Sequence, residues 1–211
     1  MRVVYLHGFA SSPASSKATF FASKLSLQGI VLETPDLNAP DFSTLTVTRM
    51  LSQLGDVIAT GSEPVALIGS SLGGFVAIQA ALQHARRVSH LVLLAPAVDF
   101  SRNRMRELGV ELEHWKATNQ VEVFHYGYGR TMPVHYELYQ DARRYDAFRA
   151  QLTQPVQVFQ GKRDEAVDPA SVEKWCGARP NVELHLLDDD HQLLASRDRI
   201  WGEAARFLGL R

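Results

Sequence analysis

Cysteine is nearly absent. Cys176 stands alone in 211 residues, so no internal disulfide can staple the fold, and between Trp175 and Gly177 it reads as a small packed thiol. Long apolar runs are missing as well: nothing approaches the ~20 residues that a helix needs to cross a bilayer. The N-terminus enters an apolar strand pattern at Val3 without the basic stretch and cleavage site of a signal peptide. These absences predict a cytoplasmic location and no membrane partner. Charge bias is lacking too, since 22 Lys and Arg face 23 Asp and Glu for a net charge of -1, which excludes the electrostatic footprint of a nucleic-acid partner. His114, His125 and His135 lack tight metal-ligand spacing, so no metal is assigned, and no cofactor is expected. What is present, 45% hydrophobic and 21% charged residues, suits one globular domain over residues 1–211 with a substantial core.

Short apolar runs recur at Val3 to Leu6, Ile30 to Leu32, Val65 to Ile68, Leu91 to Leu94, Val156 to Phe159 and Val182 to Leu187, each ending near a loop signal as strands do. Helical patterns lie between them. Val47, Met50, Leu51, Leu54, Val57 and Ile58 form one stripe at spacings of three and four. Ile200, Trp201, Ala204, Phe207 and Leu208 predict a closing helix over Arg199 to Leu208. Alternation of this kind implies an α/β fold with a mainly parallel sheet flanked by helices, because parallel neighbours need a crossover. From Asp99 to Ala150 the rhythm breaks: aromatics, histidines and charges follow one another without a strong strand run. Residues 99–150 are read as a cap insertion within the domain.

The most informative segment is Gly69-Ser70-Ser71-Leu72-Gly73, which follows the run Val65 to Ile68 and opens the helical stretch from Phe75 to Leu82. It reads as a nucleophile elbow, in which glycines two residues either side of a serine let strand and helix crowd together while the hydroxyl is pushed out above the sheet. Ser71 is the candidate nucleophile. Ser70 fails the same register, because Ile68 and Leu72 would fill the glycine positions.

A serine hydroxyl needs a base within hydrogen-bond reach and a group that orients the base. Two loops leaving strands offer them: Gly161 to Pro169 after Val156 to Phe159, and Asp188-Asp189-Asp190-His191 after Val182 to Leu187. Asp168 precedes Pro169 and has a sufficient duty as a helix N-cap. Asp164 is therefore taken as the orienting acid, with exposed-turn chemistry as its bland alternative and Glu165 as a fallback. His191 completes the chain order Ser, Asp, His. His185 alternates with Val182, Leu184 and Leu186 and is expected to be a solvated strand residue. For the oxyanion hole, the backbone N–H of Leu72 follows the nucleophile directly, and the amide of Phe9 in Leu6-His7-Gly8-Phe9 is chosen as the second donor, with His7 bracing that loop. Ser11, Ser12, Ser15, Ser16 and Lys17 could form a phosphate cradle, but Ser12-Pro13 better fits an N-cap followed by a first-turn proline.

Taken together, Tyr5-Leu6-His7-Gly8-Phe9 with Ser11-Ser12-Pro13, Gly69 to Gly74, Gly161 to Asp168, and Asp190-His191 resemble the α/β-hydrolase superfamily, and most closely its small YqiA-like esterases. The resemblance spans nearly the whole chain. It implies that Ser71 attacks an acyl carbon, that His191 serves as general base and then acid, and that Asp164 holds the imidazole, with an acyl-serine intermediate. Asp188-Asp189-Asp190 departs from the glycines that many relatives place before this histidine, and extra carboxylates favour the charged imidazole. The expected substrate is a small carboxylic ester. A thioester such as an acyl-CoA uses the same chemistry, and a ligand-binding protein without turnover is the alternative from another class. Trp115, Phe124, Tyr126, Tyr128, Tyr136, Tyr139 and Tyr145 either line an apolar acyl pocket or pack the cap, and Arg102, Arg104 and Arg106 are expected on a solvated helix face.

Overall fold

The computed structural model describes residues 1–102 and 111–210. Six parallel strands form the central sheet: β1 (Arg2–Leu6), β2 (Leu32–Glu33), β3 (Val65–Ser70), β4 (Val88–Leu94), β7 (Val156–Gly161) and β8 (Val182–Leu187), in the order β2-β1-β3-β4-β7-β8. The helices are α1 (Ser16–Ser26), α2 (Val47–Ala59), α3 (Leu72–Gln83), α4 (Leu112–Thr118), α5 (Glu137–Ala142), α6 (Pro169–Gly177) and α7 (Arg197–Phe207). Successive side chains of a strand face opposite sides of a sheet, and here both sides are dry. Val4, Leu6, Val65, Leu67, Leu91 and Leu93 enter one core with α2, α3 and α6. Val3, Tyr5, Ala66, Ile68, Val92 and Leu94 enter the other with α1 and α7.

Local chemistry accounts for these elements. Five residues of the α2 stripe, Val47, Met50, Leu51, Leu54 and Ile58, are buried, each contributing roughly 1.5–3 kcal/mol by leaving water, and the Thr46 hydroxyl caps the helix by accepting from the Arg49 amide. Every residue of α3 from Leu72 to Ala81 is buried, as befits a helix apolar on all sides that packs beneath the sheet's central strand.

Three sequence expectations shift. The run Ile30 to Leu32 contributes only β2 (Leu32–Glu33), because the Ile30 amide donates back to the Leu25 carbonyl in the exit turn of α1, where Gly29 takes φ 72°. The cap of α1 is Ser15, whose Oγ accepts from the Ala18 amide, and not Ser12, whose carbonyl instead accepts from the Ser15 amide in a preceding turn. The excursion between β4 and β7 does hold strands: β5 (Gln120–His125) and β6 (Arg130–His135) form an antiparallel hairpin. Its apolar alternation is thin, with Val121 and Val123 turned inward and Pro133 opposite Glu122, so it depends on packing against the main core rather than on strand propensity. The Asp141 carboxylate fastens α5 to the start of α2, accepting from the Thr48 amide at 2.7 Å and from its hydroxyl at 2.5 Å.

Candidate active site

Three glycines make the site's turns possible. A Cβ on Gly69 would stand 2.5 Å from the Gly73 carbonyl oxygen, one on Gly73 would stand 2.1 Å from the Leu6 carbonyl oxygen, and one on Gly161 would stand 2.5 Å from the Asp190 carbonyl oxygen. The first two compress β3 onto α3 and α3 onto the loop after β1; the third presses the Asp164 loop against the His191 loop. Ser71 sits at the crest of the first turn with φ 53° and ψ -116°, a left-handed conformation that costs a non-glycine residue on the order of 1–3 kcal/mol. It is held there by its amide, which donates to the Leu94 carbonyl, and by its carbonyl, which accepts from Gly74, Phe75 and Ala97. Ser70 is buried at the end of β3.

Asp164 and His191 meet across two loops. His191 Nδ1 lies 2.8 Å from Asp164 Oδ2. The same oxygen accepts from Gln160 Nε2 at 2.9 Å, while Oδ1 accepts from the amides of Ala166 and Val167 at 2.9 and 2.7 Å. Burial pushes the Asp164 carboxyl up, but the His191 ring beside it and the N–H groups of Val167 and Gln160 outweigh that and hold it below the ordinary carboxylate range. An ionised carboxylate can only accept, so Nδ1 carries the donated proton, which in the neutral ring leaves the lone pair on Nε2. Glu165 is exposed. Asp168 accepts from the amides of Ala170 and Ser171 at the start of α6, with Pro169 in the first turn.

Ser71, Leu72, Phe9 and His191 line one cavity of about 980 Å³, whose walls also include Phe100 and the hairpin residues Glu122 to Phe124, Tyr126 and Gly127. The Leu72 N–H is at the first position of α3, where a helix offers its amides no internal acceptor. Gly8 brings the Phe9 loop against the serine: a Cβ there would lie 3.3 Å from Ser71 Cβ. His7 braces this loop from behind. Its Nε2 accepts from the Leu37 amide at 3.1 Å and its Nδ1 donates to the Gly8 carbonyl at 2.9 Å; burial pushes its pKa down, keeping the ring neutral.

The remaining sequence candidates fall elsewhere. His185 is not solvated: its ring stacks on Phe159 at 4.8 Å and its Nε2 lies 3.0 Å from Glu183, with only 15% of the side chain exposed. Asp188 pairs with Arg163, Asp189 accepts from the amides of Asp190 and Ser196, and Asp190 accepts from the Gln192 amide, so these three carboxylates are committed away from the imidazole. The excursion's aromatics divide. Trp115, with Nε1 on the Val134 carbonyl, packs with Tyr136 and Tyr139, whereas Phe124 and Tyr126 line the cavity. Tyr145 contacts the Thr48 hydroxyl, and Tyr128 stacks on His125. Arg102 is exposed, as expected, and pairs with Asp146; Arg104 and Arg106 lie outside the described residues.

Two residues escaped the sequence reading. Gln160, next to last in β7, is one more strand residue, and its amide reaches Asp164 only because the loop folds back. Lys17 was one member of a serine-rich stretch, yet its Nζ lies at the cavity within 3.3 Å of the His191 carbonyl.

The profile of the uncharacterised protein family UPF0227 matches residues 2–205. The chain belongs to UPF0227. No curated protein matches it. Among solved structures, this UPF0227 chain is similar to Est1E from Butyrivibrio proteoclasticus with ferulic acid bound, at TM-score 0.85 and 17% identity over 98% of this chain and 87% of that one. Mouse alpha/beta hydrolase domain-containing protein 10 aligns at TM-score 0.80 and 18% identity over 98% and 89%. The monoacylglycerol lipase of Paleococcus ferrophilus aligns at TM-score 0.78 and 14% identity over 98% and 93%. At such identities the likeness establishes the α/β-hydrolase fold of the UPF0227 chain. No described helix is long and apolar enough to cross a membrane.

Proposed function

We propose that this chain is a serine hydrolase that cleaves a small carboxylic ester through an acyl intermediate on Ser71. The observation that carries the reading is the 2.8 Å contact between His191 Nδ1 and Asp164 Oδ2, beside a cavity that Ser71 and His191 line together. In the first step His191 Nε2 takes the Ser71 hydroxyl proton as Oγ bonds to the acyl carbon. The oxyanion accepts from the N–H groups of Leu72 and Phe9, which are fixed before the reaction begins and stabilise the charge without reorganisation. Collapse of the tetrahedral species breaks the ester C–O bond, and the imidazolium gives its proton to the departing alkoxide. Water then repeats the sequence on the acyl-serine, with the residues 99–150 acting as a cap that shapes the substrate pocket. The bound ferulic acid of Est1E and the monoacylglycerol lipase among the structural neighbours support an ester as substrate.

The experiment combines fluorophosphonate labelling with turnover of a panel of esters and thioesters of graded chain length. Label is expected on Ser71, and Ser71→Ala is expected to fold normally while losing turnover by on the order of 10⁴ or more. Ester hydrolysis that persists in Ser71→Ala defeats the assignment.

A further inference from the structure

Lys17 stands in the first turn of α1 (Ser16–Ser26), where a lysine ordinarily extends into water. Its Nζ instead donates to the carbonyl of His191 at 3.3 Å and to that of Gln192 at 3.2 Å, across 174 and 175 positions of sequence. These two carbonyls belong to the irregular segment between β8 and α7. Its internal bonds are local: the Leu193 amide donates to the Asp190 carbonyl, the Gln192 amide donates to the Asp190 carboxylate, and Leu193 takes a left-handed φ of 56°. Among the described residues, Lys17 is the one donor from a distant part of the chain to the main chain of residues 190–194.

We propose that Lys17 is a positioning residue, which holds the His191 and Gln192 carbonyls and so fixes the imidazole at its working place beside Ser71. The inference rests on the hydrolase reading given above. Burial lowers the Lys17 pKa to about 8 even with the carboxylates of Asp164, Asp190 and Asp189 nearby, so the ammonium is kept in place against a desolvation cost. A stem of equal length without charge would remove that cost, so stability alone does not account for a lysine at this position. Charge-assisted donors set geometry more firmly than neutral ones, and positioning matters where a misplacement of about 1 Å costs on the order of 100-fold in rate. Lys17 also lines the cavity, which makes recognition of a substrate anion the competing role.

The test compares wild type with Lys17→Met and Lys17→Arg on a neutral p-nitrophenyl ester and on an ester carrying a carboxylate, together with thermal melting and the ¹H–¹⁵N signals of the His191 ring. Lys17→Met is expected to lose roughly 10- to 100-fold in kcat on both esters, with KM on the neutral ester and Tm held, and with the His191 signals shifted or broadened. Lys17→Arg is expected to restore part of kcat, since a guanidinium can also give two N–H groups to adjacent carbonyls. Wild-type kcat in Lys17→Met overturns the proposal, as does a loss confined to KM for the charged ester. If Lys17→Met fails to fold, Lys17→Leu, which also lacks a donor, carries the same comparison; wild-type kcat in folded Lys17→Leu with unmoved His191 signals then overturns it. A protein that hydrolyses no ester in any form, yet whose His191 signals move in Lys17→Met, sinks the hydrolase reading and keeps the clamp; an active esterase with unmoved signals does the reverse.

Discussion

Asp164 and Asp168 lie four residues apart and carry the same side chain, but their surroundings assign them different work. All four lone-pair directions of Asp164 are occupied, by the amides of Ala166 and Val167, by Gln160 and by His191. Asp168 is exposed and serves the first turn of α6. Asp164→Asn would place an N–H where donors already converge, or turn its one remaining carbonyl away from the imidazole and favour the wrong tautomer. Its expected cost is about 10³- to 10⁴-fold in kcat. Asp168→Asn keeps a good N-cap and is expected to cost only a few tenths of a kcal/mol in stability with kcat unchanged. Steady-state kinetics and urea melts on both variants check this, and the opposite pattern would move the orienting role to Asp168.

At the scale of elements, the hairpin of β5 and β6 reaches the site through its turn. A Cβ on Gly127 would stand 2.7 Å from Ser12 Cβ and 3.1 Å from the Ser11 carbonyl carbon, and the Gly127 amide approaches the Ala10 carbonyl at 3.4 Å. The turn therefore rests on the loop that carries the Phe9 amide. Gly127→Ala is expected to push the two apart and lower kcat several-fold while the protein still folds. Gly129, two residues on, has φ 66° and open space around it; Gly129→Ala is expected to cost about 1–2 kcal/mol of left-handed strain and leave kcat alone. Equal kcat values for the two variants would separate the hairpin from the Phe9 loop. None of this contact was legible in the sequence, and the reason is physical. The strand, elbow and helix around Ser71 announce themselves through a continuous apolar run and paired glycines, and the Asp164 and His191 loops through their places after two further runs. The hairpin has half an apolar face and a proline. Lys17 and Gln160 act through loops that the fold brings back to them, so no local pattern marks them, and Ser15 rather than Ser12 caps α1 because a turn intervenes.

For the whole molecule, buried titratable groups set opposing limits on stability. Burial lowers the pKa of His7, His90 and His125. The unfolded chain therefore takes up protons first, and their contribution is lost as pH falls from the ordinary histidine value of 6.5 through the lower folded values. Lys17 acts in the same sense at higher pH: its folded value of about 8 lies below the ordinary 10.5, so the unfolded state holds more protons between the two and stability rises with pH across that window. Cys176 and Tyr5 run the other way. Burial raises the thiol from 9.0 to about 12 and the phenol from 10.0 to about 12, so both stay protonated in the fold while the unfolded chain ionises. Their contribution is present below the ordinary values and is lost as pH rises through about 12. Between about 8 and 9 only Lys17 changes among these groups, and between about 9 and 10 the rise from Lys17 and the fall from Cys176 offset each other, which places the expected stability maximum on a plateau from about 9 to 10 rather than at the sequence pI of about 6.7. Urea midpoints measured from pH 5 to pH 11 should climb through the histidine range, crest, and then fall. Cys176→Ala is expected to start lower at pH 7, because a packed side chain is lost, but to keep climbing to about 10, where Tyr5 begins to offset Lys17. Parallel alkaline limbs in wild type and Cys176→Ala would remove the thiol from this account and leave Tyr5 to carry the decline.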